Sequence, residues 1–332
     1  MVRLATVGTS AITEKFLAAC RLTGRYVFKT AYSRDKSRGE RFAAAQGFSG
    51  CCDDIKALAA DSGIDAVYIA TPNVFHAEQS RLFLENGKHV LCEKPIVTEC
   101  GQYDRLSEYA RINGLVYMEA IMSRHCAGRD ILREAVGKIG KISLARLDFG
   151  QLSSRYERFA AGESVNIFDM SLGAGTLMDL GVYCVYAAVD LFGMPRGIKA
   201  GASFLRGGAD GAGAAIFDYG DFAAVLSYSK TGQSAAGSEI TGDLGTVKIG
   251  SVSQYAGISL VKSGEEKLLL GYPPREEVMR GEAEKFAGWI ENPNDFAEDY
   301  KEVSILTHNV HKCMDMIKSD AKIKYPLKEY RL

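Results

Sequence analysis

The first 120 or so residues alternate short, β-rich apolar runs with longer stretches of helical period, and few folds are compatible with that rhythm. Residues 3–7, 26–32, 65–70, 89–92 and 115–118 read as strands, whereas 12–22, 35–46, 54–60, 75–85 and 100–112 carry helical spacing. Asn86-Gly87 and Asn113-Gly114 supply C-terminal stops for two of those helices. Strand and helix repeated in this way predict a doubly wound parallel sheet covered on both faces, with ligands at the carboxyl ends of its strands.

The grammar changes after about residue 141. Apart from one helix at about 176–191, the stretch 141–270 reads as strands separated by glycine-rich turns, for example 214–218, 223–229 and 246–249. A direct turn such as Tyr219-Gly220-Asp221 implies a hairpin, hence a large, mainly antiparallel open sheet. Charged helical segments at about 276–290 and 296–317 close the chain. At 332 residues the length suits two domains. The change of pattern places them at 1–121 and 122–332, an α/β domain followed by an α+β domain.

The first strand runs into Gly8-Thr9-Ser10-Ala11-Ile12-Thr13 and then a helix. A dinucleotide site needs a tight glycine turn, close approach of backbone to the pyrophosphate, and a helix N-terminus whose N–H groups and dipole face the anion. Only the first glycine of GxGxxG is present, with Ser10 and Thr13 in the other two positions. An ordinary turn capped by Ser10 or Thr13 is the competing reading.

At the end of the second strand, where a carboxylate would receive a ribose 2′-hydroxyl, the chain has Ser33 and Arg34, with Arg38 one helical turn on. A hydroxyl and two guanidinium groups suit a 2′-phosphate, and an arginine also stacks on adenine. NADP is therefore the expected cofactor, with NAD as the alternative. Asp35, beside these residues, keeps a solvated basic helix start open as the plain reading.

Strand ends further along carry Thr71-Pro72-Asn73 with His76 beyond, and Cys92-Glu93-Lys94-Pro95; the later helix begins Gly173-Ala174-Gly175-Thr176-Leu177-Met178-Asp179-Leu180-Gly181-Val182-Tyr183. Through these motifs the chain resembles the glucose-fructose oxidoreductase and inositol dehydrogenase family (Gfo/Idh/MocA) along essentially its whole length. Tyr183, where many members have His, and Met118-Glu119-Ala120 are similar to the branch containing dimeric dihydrodiol dehydrogenase and NADP-dependent xylose dehydrogenase. The resemblance implies a Rossmann domain, a sheet domain whose open face forms a homodimer, and a nicotinamide cofactor. It assigns Glu93 to the cofactor ribose and sets Thr71, Pro72, Asn73 and His76 along the nucleotide. Gly8, Thr9, Ser10, Ile12, Ser33, Arg34, Arg38 and Lys94 complete the expected cofactor contacts.

The catalytic roles follow from the chemistry. Oxidising a hydroxyl requires hydride loss to nicotinamide and removal of a proton, and the protein manages the proton. Asp179 and Tyr183, four residues apart on one helix, share a face. A phenol titrates near pH 10, and a neighbouring ammonium lowers that value; Lys94 is the expected source, and its charge also stabilises an alkoxide. Asp179 then orients Lys94, Tyr183 or a substrate hydroxyl. Taken singly, each has a plain use: a charged strand end, a rim tyrosine, a solvated helix residue. Together they predict an NADP-preferring dehydrogenase or reductase acting on a sugar, polyol or vicinal diol. The rivals are a carbonyl or imine reductase and a non-catalytic nucleotide-binding regulator on the same fold.

Residues 151–171, with Arg155, Tyr156, Arg158, Asn166 and Asp169, carry no clear periodicity and lead into the catalytic helix, so they are expected to wall the substrate site. The 40 basic and 41 acidic residues give a net charge of -1, which removes any global attraction to nucleic acid or anionic membrane. No run approaches 18 uninterrupted apolar residues, and the lipoprotein-like Leu17-Ala18-Ala19-Cys20 lacks an apolar core before it. The 8 cysteines form no CxxC pair, which suits free thiols in a reducing cytoplasm. His308 and His311 are read as surface residues, and no metal is expected.

Overall fold

A computed structural model describes residues 1–325 of the chain. The first segment holds β1 (Val2–Val7), α1 (Ala11–Thr23), β2 (Tyr26–Tyr32), α2 (Lys36–Gln46), β3 (Gly50–Cys52), α3 (Ile55–Ala60), β4 (Ala66–Ile69), α4 (His76–Glu85), β5 (His89–Glu93), α5 (Cys100–Ile112) and β6 (Tyr117–Ala120). The strands pair in parallel in the order β3-β2-β1-β4-β5-β6, so the order reverses between β1 and β4. That reversal is the switch point at which doubly wound sheets receive ligands. Every residue of β4 is buried, because helices cover both faces of a parallel sheet. The core gathers Val7, Ile69, Phe83, Val90, Val97 and Leu106. Asp35 and Asp54 start α2 and α3 by accepting backbone N–H groups of the first helical turn.

The middle segment carries α6 (Met122–His125), α7 (Ala127–Val136), β7 (Ile142–Gly150), α8 (Tyr156–Ala160), a π-helical turn at Leu177–Gly181, α9 (Val182–Phe192), and seven further strands. These are β8 (Gly197–Phe204), β9 (Asp210–Asp218), β10 (Ala223–Ser229), β11 (Ser238–Gly242), β12 (Gly245–Ser251), β13 (Ala256–Lys262) and β14 (Glu265–Leu270). They form an eight-stranded sheet in the order β14-β13-β12-β11-β7-β10-β9-β8, antiparallel except for β7 beside β10. Helix α9 packs on β7 and β10, while α7 packs on β12, β13 and β14. Across the other face the register aligns Ile216, Val225, Arg146, Glu239, Lys248, Ser259 and Leu268 in one row. Residues Met170–Phe192 are long and apolar enough to cross a membrane, but 89% of their apolar window is buried inside this unit, as in a core segment.

Two helices end the described chain, α10 (Arg275–Glu291) and α11 (Ala297–Asp320). The chain divides into two compact units, one holding Met1–Ile121 and Arg275–Ile305, the other Met122–Pro274 and the described residues 306–325. Thus 275–305, assigned from the sequence to the second domain, lies in the first unit. The reason is an apolar stripe on α10, Val278, Met279, Ala283, Phe286 and Ala287, which packs against α1. Tyr26 donates its hydroxyl to the Ala283 carbonyl, and Arg25 pairs with Glu291.

His311 is 2% exposed, so the expectation of a surface residue fails there. It falls in the buried stripe Thr307, Val310, His311, Met314 and Ile317, whose three- and four-residue spacing is that of one helix face.

Candidate active site

In the first unit, the carboxyl ends of β1, β2, β4 and β5 collect the residues read from sequence as nucleotide contacts. Gly8 follows β1 with φ 114°, where only glycine rests without strain, and a Cβ there would lie 2.4 Å from the Ala70 carbonyl oxygen. Its N–H donates to Tyr32 O at 3.3 Å, which ties the turn to the end of β2. Thr9, Ser10 and Ile12 follow at the partly exposed start of α1. Ser10 is the residue before the helix, but its side chain caps no backbone group; its hydroxyl lies 3.3 Å from that of Thr13. The first N–H groups of α1 are thus left for an anion. This glycine cradle and open helix start fit a dinucleotide pyrophosphate.

Around β2, Ser33 is buried and its hydroxyl accepts the Asp35 N–H, while Arg34 and Arg38 are exposed. Asp35 caps α2 through the Arg38 N–H at 3.0 Å. The Arg38 guanidinium reaches back to Thr9 O at 3.1 Å and fastens the two turns together.

His76 is buried between two strand-end loops, with Nδ1 2.8 Å from Pro95 O and Nε2 2.8 Å from Thr71 O. Burial pushes its pKa down, although both carbonyls oppose the shift, and the ring bridges the two loops. Thr71 donates to Gln79 at 2.7 Å, and Pro72 leads into a short 3-10 turn beginning at Asn73. Glu93, at the end of β5, is buried; it accepts the Tyr68 hydroxyl and the Lys94 N–H at 3.2 Å. Tyr68 stacks on Phe16 of α1 with ring centroids 4.1 Å apart. Sequence reasoning missed Tyr68, and also Glu282 of α10, whose two carboxylate oxygens are buried without a hydrogen-bond partner among the described residues. Burial first and Glu93 second raise the Glu282 pKa well above its ordinary value.

In the second unit Asp179 and Tyr183 belong to the segment predicted as one helix, but Asp179 sits in the π turn and Tyr183 in α9. The π turn has an i to i+5 repeat and is frequent at functional sites. Tyr183 is 7% exposed and meets Phe149 edge-on at 5.8 Å. Asp179 accepts an ion pair from Lys230 at 2.6 Å. Lys230, which directly follows β10, carried no signal in the sequence. Asp210, another residue missed, accepts the Leu177 N–H at 2.6 Å, and its own carbonyl accepts the Thr176 hydroxyl at 2.9 Å. Burial raises its pKa to about 6, against the pull of the Leu177 N–H and the Lys230 charge.

The 151–171 segment is less irregular than its sequence suggests. Tyr156 and Phe159 of α8 and Phe168 form an aromatic cluster, with Phe159 and Phe168 centroids 4.8 Å apart. Arg158 pairs with Glu163 at 2.6 Å, and Asp169 accepts the Ser171 N–H at 2.9 Å, so these two serve local structure.

Residues 2–121 match the family described as "Oxidoreductase family, NAD-binding Rossmann fold", and residues 131–248 match the GFO/IDH/MocA C-terminal domain. The scyllo-inositol 2-dehydrogenase (NADP(+)) IolU of Bacillus subtilis is 36% identical over 327 residues, covering 98% of this chain and 99% of that protein. A mouse trans-1,2-dihydrobenzene-1,2-diol dehydrogenase is 30% identical over 251 residues, covering 73% and 70%. The structure of KijD10, a 3-ketoreductase from Actinomadura kijaniata solved with NADP and TDP-benzene, superposes with a TM-score of 0.83 at 22% identity over 96% of this chain and 97% of that one, a likeness of fold. The chain belongs to the Gfo/Idh/MocA family of oxidoreductases, with an NAD-binding Rossmann fold at its N-terminus.

Proposed function

We propose that the chain is an NADP-preferring dehydrogenase or reductase that moves hydride between nicotinamide and a CH–OH or carbonyl carbon of a sugar, polyol or vicinal diol. The observation that carries this reading is the end of β2. Asp35, the one carboxylate at the start of α2, is engaged as a helix cap, while Ser33, Arg34 and Arg38 offer a hydroxyl and two cations. A 2′-phosphate suits that set better than a ribose diol does. The IolU relative is named for NADP(+) and an inositol, and the mouse relative for a diol, which supports the same cofactor and substrate class.

Nicotinamide, when bound, supplies the hydride acceptor or donor. Glu93, fixed by Tyr68, holds a ribose hydroxyl. Lys94 supplies a positive charge that stabilises the substrate oxygen as its proton leaves. Tyr183 takes or gives that proton through a hydroxyl borne on a ring packed against Phe149. Asp179 orients a substrate hydroxyl. Residues 151–171 wall the substrate, and the open face of the eight-stranded sheet joins two copies as a homodimer.

An NADP(+)-linked panel of sugars, polyols and aromatic trans-diols tests this, run on wild type, Tyr183→Phe and Lys94→Met. The expected result is turnover of hydroxyl-rich substrates, with kcat lower by about 10²-fold or more in either variant, as loss of proton management gives. Turnover of aromatic diols alone contradicts the sugar or polyol assignment, and variants as active as wild type contradict the roles of Lys94 and Tyr183.

A further inference from the structure

The Asp179–Lys230 ion pair is asymmetric. The two charged groups lie 2.6 Å apart, yet the lysine side chain is 5% exposed and the aspartate 40%. The ammonium is therefore behind and the carboxylate in front.

The lysine is held firmly. Its backbone N–H donates to Gly211 O at 2.9 Å, and its carbonyl accepts the Ser153 N–H at 2.9 Å, so strand pairing and the 151–171 segment pin its main chain from two sides. Its Nζ lies 3.3 Å from Ile167 O and 5.8 Å from the centre of the Phe168 ring. A buried ammonium needs a counter-charge. Asp210 is close enough for Lys230 to lower its pKa, but the Asp210 carboxylate already accepts the Leu177 N–H and is pushed toward its neutral form by burial. Asp179 is the carboxylate in direct contact.

The backbone under Asp179 is also unusual. It lies in the π turn Leu177–Gly181, and at Gly181 a Cβ would come within 3.1 Å of the Tyr228 ring and of the Leu177 side chain. The wide turn presents the aspartate, while Lys230 reaches it from the residue that follows β10.

We propose that Lys230 is a positioning residue, which holds the Asp179 carboxylate in one orientation as the acceptor for a substrate hydroxyl. The proposal rests on the reading of Asp179 as a substrate-orienting residue, and its test separates the two. Wild type, Lys230→Met, Lys230→Arg, Asp179→Asn and the double variant Asp179→Asn/Lys230→Met are compared in NADP(+)-linked kinetics with scyllo-inositol and the other panel substrates. Thermal melting and NADPH titration on each variant report folding and cofactor binding.

The expected result is a kcat/KM at least tenfold lower for Lys230→Met with NADPH affinity unchanged, and recovery to within about threefold of wild type in Lys230→Arg, whose charge reaches the same carboxylate. In the Asp179→Asn background the Lys230→Met change should alter kcat/KM less than twofold, because the group it acts through is already gone. An active wild type with an unimpaired Lys230→Met, or with the two changes multiplying in the double variant, overturns the proposal alone. So does failure of Lys230→Arg to recover activity while it melts and binds NADPH as wild type does. A wild type inactive on the whole panel overturns the functional reading and this proposal with it.

Discussion

Replacing Asp210 by asparagine should make the protein progressively more stable than wild type as pH rises from about 4 to about 7. The carboxyl is almost fully buried, and its folded-state pKa is raised from the ordinary 3.8 to about 6. A raised pKa means that the folded form binds the proton more tightly than the unfolded form. Stability from this group is therefore complete below the unfolded pKa and is lost as pH climbs through the folded one. Two pH units correspond to about 3 kcal/mol. Asparagine keeps an acceptor for the Leu177 N–H that Asp210 now receives at 2.6 Å, and it cannot ionise. Urea denaturation of both proteins at pH 4, 5, 6 and 7 measures the effect, and the difference between them cancels every other group that titrates in the window. The asparagine variant should gain about 3 kcal/mol on wild type across the series, a midpoint shift of roughly 1 M urea or more. A difference that does not change with pH refutes the linkage, and with it the picture of Asp210 as a carboxyl that burial pushes toward its neutral form.

Two further substitutions test the first unit. Gly8→Ala places a Cβ 2.4 Å from the Ala70 carbonyl at φ 114°, a strain of about 1–3 kcal/mol that the turn relieves only by shifting. NADPH affinity by titration calorimetry should fall tenfold or more, and wild-type affinity would contradict the cradle. Glu282→Gln removes a buried carboxyl whose pKa is raised by burial and by Glu93. The same sign applies as for Asp210, so the variant should gain stability on wild type as pH rises above the ordinary glutamate value of 4.5; chemical denaturation that finds no gain contradicts it.

Much of the first unit is legible in the sequence because its signals are local. Strand β2 and helix α5 fall at the predicted residues, and the Gly8 turn, the Ser33–Arg34 pair and Glu93–Lys94 lie at strand ends as expected. Strand β3 was missed: Gly50-Cys51-Cys52 is three residues long and has no alternation to read. The placement of 275–305 depends on packing of α10 against α1, more than 250 residues earlier in sequence, which no window senses. In the second unit the antiparallel sheet follows from its turns, but the π turn at Asp179 leaves no mark in residue spacing. Lys230 was invisible for a related reason. A lysine after a strand reads as a solvated end until the fold puts Asp179 2.6 Å away and buries the ammonium.

The most direct test of the account is titration of NADPH and NADH into wild type and into Arg34→Ala. The account predicts tighter binding of NADPH than of NADH by wild type, and a ten- to hundredfold loss for NADPH alone in the variant, as removal of a charged phosphate contact of about 1.5 to 3 kcal/mol gives. Equal binding of the two nucleotides, or an Arg34→Ala protein that holds NADPH as tightly as wild type, contradicts it.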